Sequence, residues 1–144
     1  MLLQGVAFPK GSDGWSRHQA STLLRAMAEM FQRADIPALV ELFTEDCTIR
    51  YGAAAEQRGR VPLRRVLTGL IERRRELRMQ KACIAIDRNK LVIRSEESWK
   101  EGEANKPMTG FGIEVWTMRD GTIAIWETGF SAGEEGPMRL SVAA

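Results

Sequence analysis

From Met79 onward the apolar residues of this chain recur at every second position, whereas between Ser16 and Ile71 they recur at every third or fourth. The second spacing lines one face of a helix and the first one face of a strand, because successive side chains alternate across a strand but return to the same helix face after about 3.6 residues. One change of period, with no return, excludes the repeated strand–helix alternation of a parallel sheet. It prescribes an α+β order, with three N-terminal helices followed by a run of antiparallel strands.

The helices carry their own punctuation. Ser16 and Gln19 spell a capping box ahead of the stripe Leu23, Met27, Met30, Phe31 and Ala34. Asp35 caps a second helix with Pro37 in its first turn, an apolar face of Leu39, Leu42 and Phe43, and an end near Thr44. A short strand over residues 47–51 and a loop over 52–59 lead to a third helix, opened by Pro62. Its apolar side is Leu63, Val66, Leu67, Leu70 and Ile71, and Gly69 predicts a close approach to the sheet.

The strands follow. Ile84, Ile86, Leu91 and Ile93 flank a tight turn at 87–90, a strand runs through Trp99, and a loop at 101–107 leads to a long strand over 108–119. Asp120-Gly121 is the sharpest hairpin signal, since a type I′ turn needs positive φ at both central residues; the last strand then runs from 122 to about 131. Residues 1–10 read as a loose or docking arm and 133–144 as a loose tail, giving one domain over 1–144 with its core at about 16–131.

A chain of 144 residues is long enough for one substantial core. Its 21 basic and 19 acidic residues leave a net charge of +2, too little for a field that implies nucleic acid, and the arginines of the third helix read as a solvated face. With His18 the only histidine and Cys47 and Cys83 the only cysteines, a zinc or iron–sulfur site has too few ligands; no metal and no cofactor is expected. No stretch approaches the length of a membrane span and the opening residues lack a basic leader, so the expected location is the cytoplasm.

Counting outward from a two-residue loop at Asp120-Gly121 pairs Arg119 with Thr122, Met118 with Ile123, Trp116 with Ile125, Glu114 with Glu127 and Gly112 with Gly129. Two carboxylates then stand opposite each other, which destabilises both charges and raises one pKa, the means by which a site obtains an acid and a base from similar groups. Arg94, on the same strand face as Val92 and Glu96, is the expected counter-charge, to hold an anionic substrate group or to neutralise Glu96. The alternative is that this face is exposed and each Glu pairs with a nearby Arg. Trp99, Trp116, Trp126, Phe111 and Phe130 are core aromatics, of which one or two would also wall a substrate site, Trp99 and Trp116 foremost.

The order of elements, with Leu42-Phe43-Thr44-Glu45-Asp46-Cys47-Thr48-Ile49 leading from helix to strand, then Phe111-Gly112-Ile113-Glu114-Val115-Trp116 and Asp120-Gly121-Thr122-Ile123-Ala124-Ile125-Trp126, resembles the nuclear transport factor 2-like superfamily and its SnoaL-like branch over about residues 16–131. The resemblance implies a cone-shaped, curved antiparallel sheet of five to six strands with three helices in its concave face, and a homodimer formed through the sheet. It also implies a set of positions. The general-base aspartate of ketosteroid isomerases falls at Tyr51, their oxyanion tyrosine near Met27, and their second carboxyl at Glu114, so steroid isomerisation by that mechanism is not expected. The Arg-x-Asp pair of limonene-type epoxide hydrolases resembles Arg94-Ser95-Glu96, with their second aspartate at Thr128. The His-Trp-Asp run of SnoaL-like cyclases resembles Ile125-Trp126-Glu127.

The expected function is therefore a cofactor-independent acid–base enzyme, of isomerase, cyclase or dehydratase type, acting on a small, largely apolar molecule. Glu114 or Glu127 would move the proton, Arg94 would hold an oxygen, and Tyr51 would add a phenol hydrogen bond. The alternatives are a non-catalytic ligand-binding or dimerisation module, its interior filled by Met27, Trp99 and Trp116, and an epoxide-hydrolase-like enzyme. Neither nucleic acid nor membrane is an expected partner.

Overall fold

In the computed structural model, which describes residues 2–3, 5–11 and 14–134, strands β1 (Leu2–Leu3) and β2 (Val6–Ala7) form a small antiparallel hairpin. The arm docks: Phe8 is buried with its ring 5.2 Å from that of Trp15, and Phe8 and Pro9 lie against Gly121. Helix α1 (Arg17–Gln32) opens on the expected capping box, Ser16 accepting from the Gln19 N–H and the Gln19 side chain accepting from the Ser16 N–H. Asp35 caps α2 (Ile36–Glu41), which stops short of Thr44. There the backbone is drawn into the sheet instead, the Leu42 carbonyl accepting from the Ile123 N–H and the Phe43 carbonyl from Arg60.

Strand β3 (Phe43–Tyr51), short β4 (Gln57–Arg58), α3 (Arg60–Glu72), β5 (Arg75–Asp87), β6 (Lys90–Glu101), β7 (Lys106–Arg119) and β8 (Thr122–Glu134) complete the chain. β5 to β8 form a meander, but the curved six-stranded sheet is mixed, in the order β4-β3-β8-β7-β6-β5, because β3 runs parallel to β8. This corrects the wholly antiparallel expectation. α3 lies between β3 and the meander, so the chain crosses over and meets β3 again from its far end. β8 continues through Gly133 and Glu134, which were expected in the tail; the rest of that tail, 135–144, lies outside the described residues. Gly69 faces open space, not the sheet.

The core lies between the helices and the inner sheet face. Leu23, Leu24 and Met27 of α1, Leu39 of α2, and Leu63 and Leu67 of α3 bury against Ile49, Leu91, Ile93, Trp116, Met118 and Ile123. No helix among the described residues is long and apolar enough to cross a membrane.

The hairpin at Asp120-Gly121 forms as expected, with φ of 51° and 79°, and pairs Arg119 with Thr122 and Met118 with Ile123. Beyond that the predicted register fails. A bulge at Ala124 pairs Thr117 with Ile125, Trp116 with Trp126, Val115 with Glu127 and Glu114 with Thr128. One extra residue moves every later side chain of β8 to the opposite face. A second bulge, at Ile84, does the same to β5.

Candidate functional site

Alternation along each strand builds the interior in tiers. The lowest is an apolar floor, Leu91–Trp116–Trp126–Ile49, read across β6, β7, β8 and β3. Above it runs Ile93–Glu114–Thr128–Tyr51, then Lys81–Ser95–Gly112–Phe130 from β5 to β8, then Met79–Glu97–Gly110. Two carboxylates and one lysine thus project inward from adjacent strands, and the sheet's curvature brings them together.

Glu114 is 2% exposed, and both of its carboxylate oxygens accept hydrogen bonds. Oε1 accepts from the indole N–H groups of Trp116 at 3.1 Å and Trp126 at 2.8 Å, and Oε2 accepts from Lys81 Nζ. The Lys81 ammonium also donates to Ser95 Oγ at 3.2 Å, and both charged side chains are only 3% exposed. A buried ion pair is tolerated where further hydrogen bonds offset its desolvation, and here the floor tryptophans and Ser95 supply them.

In the tier above, Arg74 pairs with Glu97. Its guanidinium lies over two rings at once, 4.7 Å from the Trp99 centroid and 5.0 Å from that of Phe130. Phe130 is seated on bare backbone, since a Cβ at Gly110 would stand 2.2 Å from its ring. Burial pushes the Glu97 carboxyl above the ordinary glutamate value, against the pull of Arg74 and Lys81, and Glu114 adds to the rise. Burial also raises the Tyr51 phenol, opposed by Arg74. Tyr51 meets Trp126 edge-on at 5.7 Å.

The shift at Glu97 has a thermodynamic consequence. The folded state keeps a proton that the unfolded chain has lost, so the stability this group contributes is full below the ordinary value and lost as pH rises through the raised one. Urea titrations from about pH 4 to 8 are expected to show the wild type losing stability relative to Glu97→Gln as pH rises. Parallel curves would remove the shift.

Of the sequence-predicted residues, Glu114, Trp116, Tyr51 and Trp99 come together in this interior, while Met27 is buried in the α1 core. The others do not join them, and Phe111, expected in the core, lies 48% exposed on the outer sheet face. The bulge at Ala124 turns Glu127 to the outer face opposite Val115, where Arg50 holds it at 3.2 Å, so the opposed Glu114–Glu127 pair does not form. Arg94 and Glu96 do share a face, but it is the exposed outer one; the counter-charge of Glu114 is Lys81. Arg94 and Glu96 instead line a cleft of about 500 Å³ between α1 and the β5 edge, with Ser21 and Arg25.

Lys81, Glu97, Arg74 and Ser95 were missed. Glu97 and Ser95 were legible, since they alternate with Ile93 and Trp99. Lys81 was not, because counting back from Ile86 crosses the Ile84 bulge and assigns it to the wrong face. A second cleft, of about 580 Å³, opens beside Trp99 and is lined also by Leu77, Met108 and Gln32.

The model of the SnoaL-like domain family matches residues 24–126. No curated protein sequence matches the chain. Among solved structures, SalBIII, an epoxide hydrolase/cyclase-like enzyme in pyran ring formation in the polyether salinomycin, superposes with a TM-score of 0.70 at 16% identity, covering 82% of this chain and 98% of its own. A candidate polyketide cyclase from Xanthomonas campestris pv. campestris gives 0.65 at 18% identity, with 88% and 96% covered. An LEH-like epoxide hydrolase of M. tuberculosis gives 0.61 at 14% identity, with 80% and 84% covered. At these identities the likeness is one of fold.

Proposed function

The chain belongs to the SnoaL-like domain family, and we propose that it is a cofactor-independent acid–base enzyme, of isomerase, cyclase or dehydratase type, acting on a small, largely apolar molecule bound within the cone. The observation that carries this is the pair of carboxylates in one buried interior with unlike surroundings: Glu114, held by two indoles and a lysine, and Glu97, raised by burial. A carboxyl raised by burial, next to an ion-paired lysine and carboxylate, supplies an acid–base residue in a charged interior. Glu97 moves the proton. Lys81, anchored by Glu114 and Ser95, and the Tyr51 phenol face the oxygen on which charge develops. The substrate enters by the cleft at Trp99, Met108 and Leu77. SalBIII and the cyclase and epoxide hydrolase relatives lend the reaction class. The limonene-hydrolase positions lend nothing, because Arg94 and Glu96 point outward.

The test is solvent-deuterium exchange into a panel of cyclic enolisable ketones, with ring opening of 5-nitrobenzisoxazole as a probe of a desolvated base. Catalysis by wild type above a denatured control supports the reading. Inactivity on every probe replaces it with the second reading, a binding module, which the ion-paired Glu114 and the fully buried Met27 and Trp116 favour.

We further propose a homodimer through the outer sheet face, where Phe111 is 48% and Ile113 40% exposed beside Val92 and Val115. Sedimentation of wild type is expected at the dimer mass and of Phe111→Arg/Ile113→Glu at half of it. Equal masses would remove the interface.

A further inference from the structure

The surroundings of the Arg74 guanidinium have the composition of a receptor for an organic cation. Trp99 and Phe130 present two ring faces, with centroids 6.3 Å apart and planes tilted by 33°, and the Glu97 carboxylate supplies the countercharge. Ring faces carry negative potential and strengthen as cation binders when desolvated. The second wall is built at a cost to the sheet. Two glycines in one strand, Gly110 and Gly112, give up their side chains so that Phe130 can lie flat, and a Cβ on either would stand within 2.9 Å of the ring.

The two sides of the pair are anchored differently. Glu97 sits in mid-β6, fixed by ladders on both sides, whereas Arg74 belongs to the two-residue link between α3 and β5, its N–H held by the Ile71 carbonyl at 3.1 Å. Displacing the guanidinium leaves the sheet ladders intact, whereas displacing the carboxylate does not. An anion would instead need Glu97 to move, and would meet two ring faces that repel it. The cleft beside Trp99 gives an incoming molecule's apolar body Leu77 and Met108 to contact.

We propose that the Trp99–Phe130–Glu97 cage is a binding site for the cationic head of a small organic ligand, a guanidinium or alkylammonium group, and that Arg74 occupies it in the free protein as a built-in competitor. The assignment rests on the interior being a ligand site, as proposed above, but not on proton transfer by Glu97. Removing the competitor restores the fraction of molecules whose cage is empty, so affinity rises by the inverse of that fraction.

The test titrates butylguanidinium chloride and tetramethylammonium chloride, against sodium chloride at equal ionic strength, while following the Trp99 indole N–H resonance. Wild type is expected to show a saturable shift, Arg74→Ala to bind at least about tenfold tighter, and Arg74→Ala/Glu97→Gln to lose the gain. Should Arg74→Ala fail to fold, Arg74→Gln takes its place, because it keeps a donor to Glu97 while discarding the charge. A shift no different from that with sodium chloride, or a gain indifferent to Glu97→Gln, overturns the proposal. Binding is read without turnover, so saturation alongside inactivity on the proton-transfer probes would retain the cage and discard only the acid–base reading.

Discussion

Lys81→Met is expected to lower the unfolding free energy by about 3–5 kcal/mol. Methionine keeps the unbranched stem and most of the volume, so the change isolates the ammonium. What remains is a carboxylate with 2% exposure and two indole donors but no cation, and an uncompensated buried charge is the costly half of a broken pair. Two comparisons identify the cause. Lys81→Met/Glu114→Gln removes both charges and should recover a large part of the loss, since neighbours in one network are not additive. Lys106→Met, at a pair whose side chains are 61% and 66% exposed, should leave stability nearly unchanged, because solvent screens the pair. Urea denaturation measures all three together with Glu114→Gln, and additivity of the two single changes in the double variant would show that the pair is not coupled.

Glu97→Gln is expected to lower the catalysed exchange of whichever probe the wild type turns over by about 10²–10⁴-fold, the range for a positioned proton-transfer group. Glutamine preserves size and an acceptor for Arg74 but cannot ionise. The pH profile distinguishes a reacting group from a structural one. A base must be ionised to act, so wild-type activity should rise with pH through a midpoint above the ordinary glutamate range, because burial has raised this carboxyl. The residual activity of Glu97→Gln should lack that rise. A profile shared by both proteins, or full activity in the variant, would take the proton from Glu97 and return attention to Glu114.

The sequence places the residues of this interior unequally well. Glu114 was legible because β7 has no extra residue of its own: parity from the Asp120 turn sets Gly112, Glu114, Trp116 and Met118 on one face, and they do share the interior. Glu127 failed by the same count carried across to β8, where Ala124 is inserted. Lys81 was hidden by the bulge at Ile84, and Arg94 and Glu96 were paired correctly on the wrong side of the sheet. Arg74 lies in a link with no periodicity to read.

The chain's own residues determined what is local: the single change of period that gives helices then strands, the Ser16 and Asp35 caps, and the Asp120-Gly121 turn. Each depends on neighbours within a few positions, whose sterics and hydrogen bonds act without the rest of the molecule. Tertiary structure alone decided the parallel union of β3 with β8, the bulges at Ile84 and Ala124, and therefore which charges face inward. A bulge forms where packing on the partner strands requires it, and one residue's shift inverts a whole face, so the identity of the buried ion pairs is set by the closed sheet and not by any segment of it.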